Sequence, residues 1–98
     1  MGYRVRIVEL AKEELKALPA RSSARILHEV EAQLIAQPSL ETRNRKRVDV
    51  VPSFEHVPPV WELRVGEFRV FYGIDESERE VCVWAVRRKG RKTTGEIV

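Results

Sequence analysis

The spacing of hydrophobic and polar positions changes several times along the chain, and each change marks an element. Tyr3-Arg4-Val5-Arg6-Ile7 alternates apolar and basic residues, the period of a half-buried strand with its arginines turned outward. From Glu9 to Leu18 the period becomes helical: Leu10, Glu14, Leu15 and Leu18 recur at helix spacing, and Pro19 ends the element. A second helix follows, capped by Ser22 or Ser23 or beginning slightly earlier near Ala20, with Ile26, Leu27, Val30, Leu34 and Ile35 on its apolar stripe. It stops before Pro38, and the short connection between the two predicts an antiparallel helical hairpin.

Pro38 to Pro59 reads as irregular, with a short strand expected at Val48-Asp49-Val50-Val51. Two strands then flank Gly66-Glu67: Trp61-Glu62-Leu63-Arg64-Val65 and Phe68-Arg69-Val70-Phe71-Tyr72. A two-residue turn sets Leu63 against Val70 on one face and Arg64 against Arg69 on the other. Directly opposed like charges cost a sheet about 0.2–1 kcal/mol, so the pair suggests a grip on an anion such as phosphate. After a loop at 75–79, Glu80-Val81-Cys82-Val83-Trp84-Ala85-Val86 is apolar on both faces, as a central strand would be. The tail from Arg87 to Val98 is basic and then polar, and is expected to be partly disordered.

The predicted architecture is α+β, β-α-α-β-β-β, as a single domain spanning 1–98: a small sheet with a helical hairpin over one face. The expected core is Val5, Ile7, Leu15, Leu27, Val30, Leu34, Leu63, Val70, Tyr72, Val83 and Trp84. With the helices on the Leu63–Val70 face, the open face would present Arg64 and Arg69, joined by Arg4 and Arg6.

Composition narrows the function classes. A 98-residue chain with 43% hydrophobic and 34% charged residues is a soluble globular domain by these measures. It has no apolar run of membrane-spanning length and no apolar N-terminal leader. One cysteine, Cys82, packs as a small apolar residue, and a reducing cytoplasmic setting is the default expectation. The net charge of +3 is unevenly spread, with basic runs at 43–47 and 87–92 and an acidic cluster at Asp75, Glu76, Glu78 and Glu80. Basic runs of this kind are footprints of nucleic-acid binding, although solvated charge also produces them.

One cysteine and two distant histidines make no zinc pattern, and neither a phosphate-binding glycine loop nor a nucleophile elbow is present. His28 reads as a surface helix residue and His56 as an ordinary loop residue. What remains is arginine chemistry. Guanidinium groups bind phosphate bidentately and stabilise charge without acting as bases. A metal-free ribonuclease can work this way, since RNA supplies its own 2′-hydroxyl nucleophile.

The run Trp61 to Tyr72 resembles the central hairpin of the RelE/ParE superfamily of toxin–antitoxin toxins, and the order of elements agrees over nearly the whole chain, ending in Ala85-Val86-Arg87-Arg88-Lys89. The resemblance implies the RelE-like microbial ribonuclease-type fold. RelE-like members cleave messenger RNA in the ribosomal decoding site without metal, whereas ParE-like members share the fold and poison DNA gyrase.

Carried over by position, the phosphate-contacting arginine falls on Arg69, the two basic residues of the preceding strand on Glu62 and Arg64, and the arginine after the final strand on Arg87 or Arg88. The resemblance thus assigns phosphate binding to Arg64 and Arg69 and transition-state stabilisation to Arg88. Glu62 is either a base or the partner of an arginine. Arg45, Lys46, Arg47, Arg87, Lys89, Arg91 and Lys92 would engage a nucleic-acid backbone. Two departures stand out: Glu62 reverses the charge of its position, and residues 92–98 hold no counterpart of the RelE-like C-terminal tyrosine. A ribosome-dependent mRNA endoribonuclease is the leading expectation, with a gyrase inhibitor or a catalytically silent homologue as alternatives. Each implies a cognate antitoxin with an acidic binding segment. The nuclease adds the ribosome and mRNA as partners, the inhibitor adds gyrase, and none calls for a metal, cofactor or membrane.

Overall fold

A parallel pairing between the first and last strands closes one side of the sheet. The computed structural model describes residues 2–98. Its strands are β1 (Arg4–Ile7), β2 (Arg45–Arg47), β3 (Trp61–Val65), β4 (Phe68–Asp75) and β5 (Glu80–Arg88), in the spatial order β1-β5-β4-β3-β2. The other three pairings are antiparallel, and β5 lies inside the sheet, as its two apolar faces require. The helices are α1 (Glu9–Lys16), α2 (Ala20–Leu34) and a short α3 (Thr94–Ile97). No helix among the described residues is long and apolar enough to cross a membrane.

The helical hairpin covers the face that bears Leu63 and Val70. Ala11 and Leu15 of α1 and Ile26, Val30 and Leu34 of α2 are buried with them in one core cluster. The i, i+4 spacing selects these residues and rotates their neighbours away, so Leu10 is 39% and Leu27 37% exposed, contrary to the expected stripes. Helix α2 starts at Ala20 behind Pro19, and Ser23 does not cap it. Instead the Ser23 hydroxyl donates to the Leu15 carbonyl, satisfying the end of α1 and closing the hairpin. Val5 and Ile7 are only partly buried against this cluster.

The opposite face is not open. Phe71, Cys82, Trp84 and Ala85 meet Phe54 and Val60 of the irregular connection and Ile97 of α3 in a second cluster. A register shift between Phe71 and Tyr72 turns Trp84 to this side, away from the helices. The C-terminal tail is therefore ordered by burial of Ile97. Its start is a capping box in which the Thr93 side chain accepts from the Glu96 N–H and the Glu96 carboxylate accepts from the Thr93 N–H.

The second strand forms at Arg45–Arg47, not at Val48–Val51. Val48 N–H still donates to the Val60 carbonyl at 2.9 Å, but Pro58 and Pro59 then offer no N–H and the ladder ends. Arg45 is buried on the helix side of β2 and donates to the carbonyls of Gln33 and Gln37, at the C-terminal end of α2. It is thus a structural cap, not a surface cation. Replacing Arg45 by alanine should cost about 1.5–3 kcal/mol in urea unfolding, because charged hydrogen bonds to buried carbonyls are lost. Lys46→Ala, one residue along on the exposed side, should change stability by no more than about 0.5 kcal/mol.

Candidate functional site

Three strands place three arginines in one row. Arg64 of β3 stands opposite Arg69 of β4, and Arg69 stands opposite Arg87 of β5, all on the face turned away from the helices. The β3–β4 turn sets this register, with Gly66 at φ +58° in the left-handed region that favours glycine.

Two of the three charges are matched within the fold. Arg69 is 6% and Glu62 3% exposed, and Nε of Arg69 lies 3.0 Å from Oε1 of Glu62. Nη1 of Arg69 donates to the carbonyls of Gly66 at 2.9 Å and Phe68 at 2.8 Å. Burial pulls Arg69 below the ordinary guanidinium range, and the Glu62 carboxylate acts against that pull. Glu62 is held from its other side by the Thr94 hydroxyl, which donates to both carboxylate oxygens. Arg87 lies 2.8 Å from Glu14 of α1 and packs over the Phe54 ring. Beyond the end of β1, the other oxygen of Glu14 accepts the Val86 N–H, so one carboxylate serves both an open strand edge and an arginine.

The remaining cations converge on a pocket of about 220 Å³ lined by Arg43, Asn44, Lys46, Arg64 and Lys89, with the Glu62–Arg69 pair and Thr94. None of these four cations has a carboxylate within ion-pair distance among the described residues. Asn44 and Lys46 reach the pocket because alternation along β2 sends Arg45 and Arg47 to the other face. Lys89 is fixed at the mouth by its N–H, which donates to the Glu67 carbonyl in the turn.

The expected site residues therefore separate. Glu62, Arg64, Arg69, Lys46 and Lys89 come together, while Arg87 stays beside them but tied to Glu14. Arg88 lies on the helix side of β5, opposite Phe68, with Glu67 at 3.5 Å and the Phe68 ring beneath it. Arg91 and Lys92 are exposed beyond β5 and do not line the pocket. Arg4 and Arg6 are engaged with Glu78 and Glu80. The pocket adds Arg43, Asn44 and Thr94. The Thr93-Thr94-Gly95-Glu96 run was the available signal for Thr94, since it has the spacing of a capping box and hence of an ordered helix start.

A sequence profile described as the ParE toxin of the type II toxin–antitoxin system parDE matches residues 5–93. The chain belongs to this toxin family. Among solved structures, the toxin–antitoxin complex RelBE2 from Mycobacterium tuberculosis holds a similar chain, with 24% identity and a TM-score of 0.71 over 88% of this chain and 96% of that one. The archaeal RelE–RelB complex from Pyrococcus horikoshii OT3 holds another, with 21% identity and a TM-score of 0.71 over 93% and 99%. At these identities the likeness establishes the shared RelE-like fold. No curated protein sequence matches the chain.

For this ParE-family toxin, the buried pair makes a specific energetic prediction. Glu62→Ala or Arg69→Ala should destabilise by about 3–5 kcal/mol in urea unfolding, because each leaves a buried charge unmatched. Glu62→Met combined with Arg69→Met should recover most of that loss. A pH effect is expected at α3, where the Thr93 hydrogen bonds lower the Glu96 pKa. Its folded value lies below its unfolded one, so the stabilisation is complete above the unfolded value and disappears as pH falls through the folded value. Faster exchange of the Glu96 amide in that acidic window would report it, and Glu96→Gln should remove the pH dependence.

Proposed function

We propose that this toxin inhibits its target by binding through the basic pocket, without breaking a phosphodiester bond, and that DNA gyrase is the target. The observation that carries this reading is the commitment of Arg69. Its Nε is held by a buried carboxylate and its Nη1 by two carbonyls. An arginine serving a transition state must offer its donors to the developing charge. The pocket lining contains neither histidine nor tyrosine, and its one carboxylate, Glu62, is occupied by Arg69 and Thr94. Arg88 lies on the opposite face of the sheet. Arg43, Lys46, Arg64 and Lys89 remain, a set suited to holding an acidic or phosphate-bearing surface. The family description supports the same direction, through the gyrase-directed members that the resemblance implies.

A second reading, a ribosome-dependent mRNA endoribonuclease, is favoured by the convergence of those four cations in one pocket, the arrangement that a scissile phosphate would require. In both readings the toxin is held inactive by a cognate antitoxin carrying acidic side chains into the pocket.

The two readings separate when the chain is expressed without an antitoxin and DNA supercoiling, gyrase–DNA cleavage complexes and mRNA 5′ ends are followed together. The expected result is loss of supercoiling with trapped cleavage complexes, reduced at least tenfold by Arg64→Ala with Lys89→Ala. New in-frame mRNA ends with normal supercoiling would replace the first reading by the second. Unaffected growth with a soluble, folded chain would discard both. Arg69→Ala is unsuitable for this purpose, since its loss of activity would report loss of fold.

A further inference from the structure

The far end of the same sheet face carries the opposite charge. Along β4, Arg69, Phe71 and Gly73 face away from the helices: the first lines the basic pocket, the second sits beneath Phe54, and the third, with Asp75 beyond it, lines another hollow. Arg69 and Gly73 are four strand residues apart, about 13 Å. That exceeds the screening length of about 8 Å at physiological salt, so the two ends present separate fields to solvent.

Trp84 of β5 is the centre of this second region. It lines two adjoining hollows, of about 280 and 200 Å³. Gly73, Cys82, Val57 and Pro58 supply the apolar surface on one side, Val8 and Leu10 on the other. Asp75, Glu76 and Glu80 rim the first hollow, while Glu9 and Glu55 rim the second. Among the described residues Arg6 is the one cation in the lining of these hollows, and it is already paired with Glu80 at 3.1 Å.

Trp84 itself supplies an independent sign of a ligand. The residue is 8% exposed, yet its indole Nε1 has no hydrogen-bond partner among the described residues. That nitrogen lies over Gly73, where a Cβ would approach it to 2.9 Å, so only glycine leaves room for the indole edge on this side of the groove. Buried tryptophan N–H groups ordinarily have an acceptor. Val57, which is 65% exposed, lines the same hollow.

We infer that the Trp84 groove is a docking site for an extended, basic segment of a partner protein, with an aliphatic side chain seated against Trp84, a carbonyl accepting from its Nε1, and flanking lysines or arginines meeting the carboxylate rim. Charge selects the occupant: an acidic segment suited to the basic pocket is repelled here. The assignment is independent of whether the toxin acts on gyrase or on mRNA.

The test uses the full ¹⁵N-labelled chain and the heptapeptide acetyl-Lys-Gly-Lys-Leu-Lys-Gly-Lys-amide. The peptide should move the Trp84 indole N–H resonance downfield and leave that of Trp61, which is buried under the helices, in place. Replacing the leucine by serine should weaken binding at least fivefold. Exchanging the lysines for glutamates should abolish the Trp84 shift. The exposed double reversal Glu55→Lys with Glu76→Lys, checked as folded from its own spectrum, should weaken the lysine peptide at least tenfold. Equal binding of the serine peptide, equal movement of both indoles, or indifference to the double reversal would each overturn the inference. So would a Trp84 resonance that shifts with chain concentration alone, which would make the groove a contact between copies.

Discussion

The Glu62–Arg69 ion pair is the constraint around which the rest of the face is arranged. A row of three arginines across three neighbouring strands is repulsive, and the middle one is also buried, where desolvation works against its charge. Glu62, a diagonal neighbour on the adjacent strand, neutralises Arg69 at its Nε, while the carbonyls of Gly66 and Phe68 take up Nη1. The same guanidinium therefore holds the hairpin turn, and Thr94 brings the C-terminal helix onto the remaining side of the carboxylate. Because the Nε and Nη1 of Arg69 and both oxygens of Glu62 are engaged within the fold, the pocket's one lining carboxylate is not left for the cations around it. The pocket is basic because its floor is neutral.

Alternation along β4 extends this logic over the whole face. Period-two spacing puts a charged, an aromatic and a vacant position in sequence at Arg69, Phe71 and Gly73. Phe71 receives Phe54 and anchors the long irregular connection; Gly73 makes room for Trp84. One strand thereby divides the surface into a basic end, an apolar middle covered by the protein's own chain, and an acidic end.

Much of this was legible in the chain. The hairpin register, the helical hairpin and the inner position of the last strand follow from apolar spacing and one two-residue turn, since those features are local. Pairing between Arg64 and Arg69 was readable for the same reason. What spacing alone does not determine is the fate of a charge once the chain has folded. Arg45 and Lys46 are adjacent and equally basic, yet one is buried against the end of α2 and the other faces the pocket. Only the strand boundary, set by prolines in the partner segment, distinguishes them. The parallel partnership of β1 and β5 joins residues more than seventy positions apart, and Glu14 finds Val86 and Arg87 only because of it. The second face was expected to be open because Ile97 lies in a polar tail, although the Thr93–Glu96 capping spacing marked a helix there.

The magnitudes bear directly on the choice between binding and cleavage. A well-placed donor to a developing oxyanion typically lowers a barrier by about 2.7–4 kcal/mol. Turning the Nε of Arg69 to such a charge means removing it from Glu62, and breaking a buried pair of this kind costs about 3–5 kcal/mol. The gain and the loss are of the same size, so a reaction routed through Arg69 would recover little of what it spends unless a substrate phosphate also displaced Glu62 from the pocket. Arg64 and Lys89 face no such exchange, because among the described residues neither has a carboxylate within ion-pair distance. A toxin that only has to hold an acidic surface can use them directly. That asymmetry between the occupied and the unoccupied cations is the physical argument for the proposed binding role over a role in phosphoryl transfer.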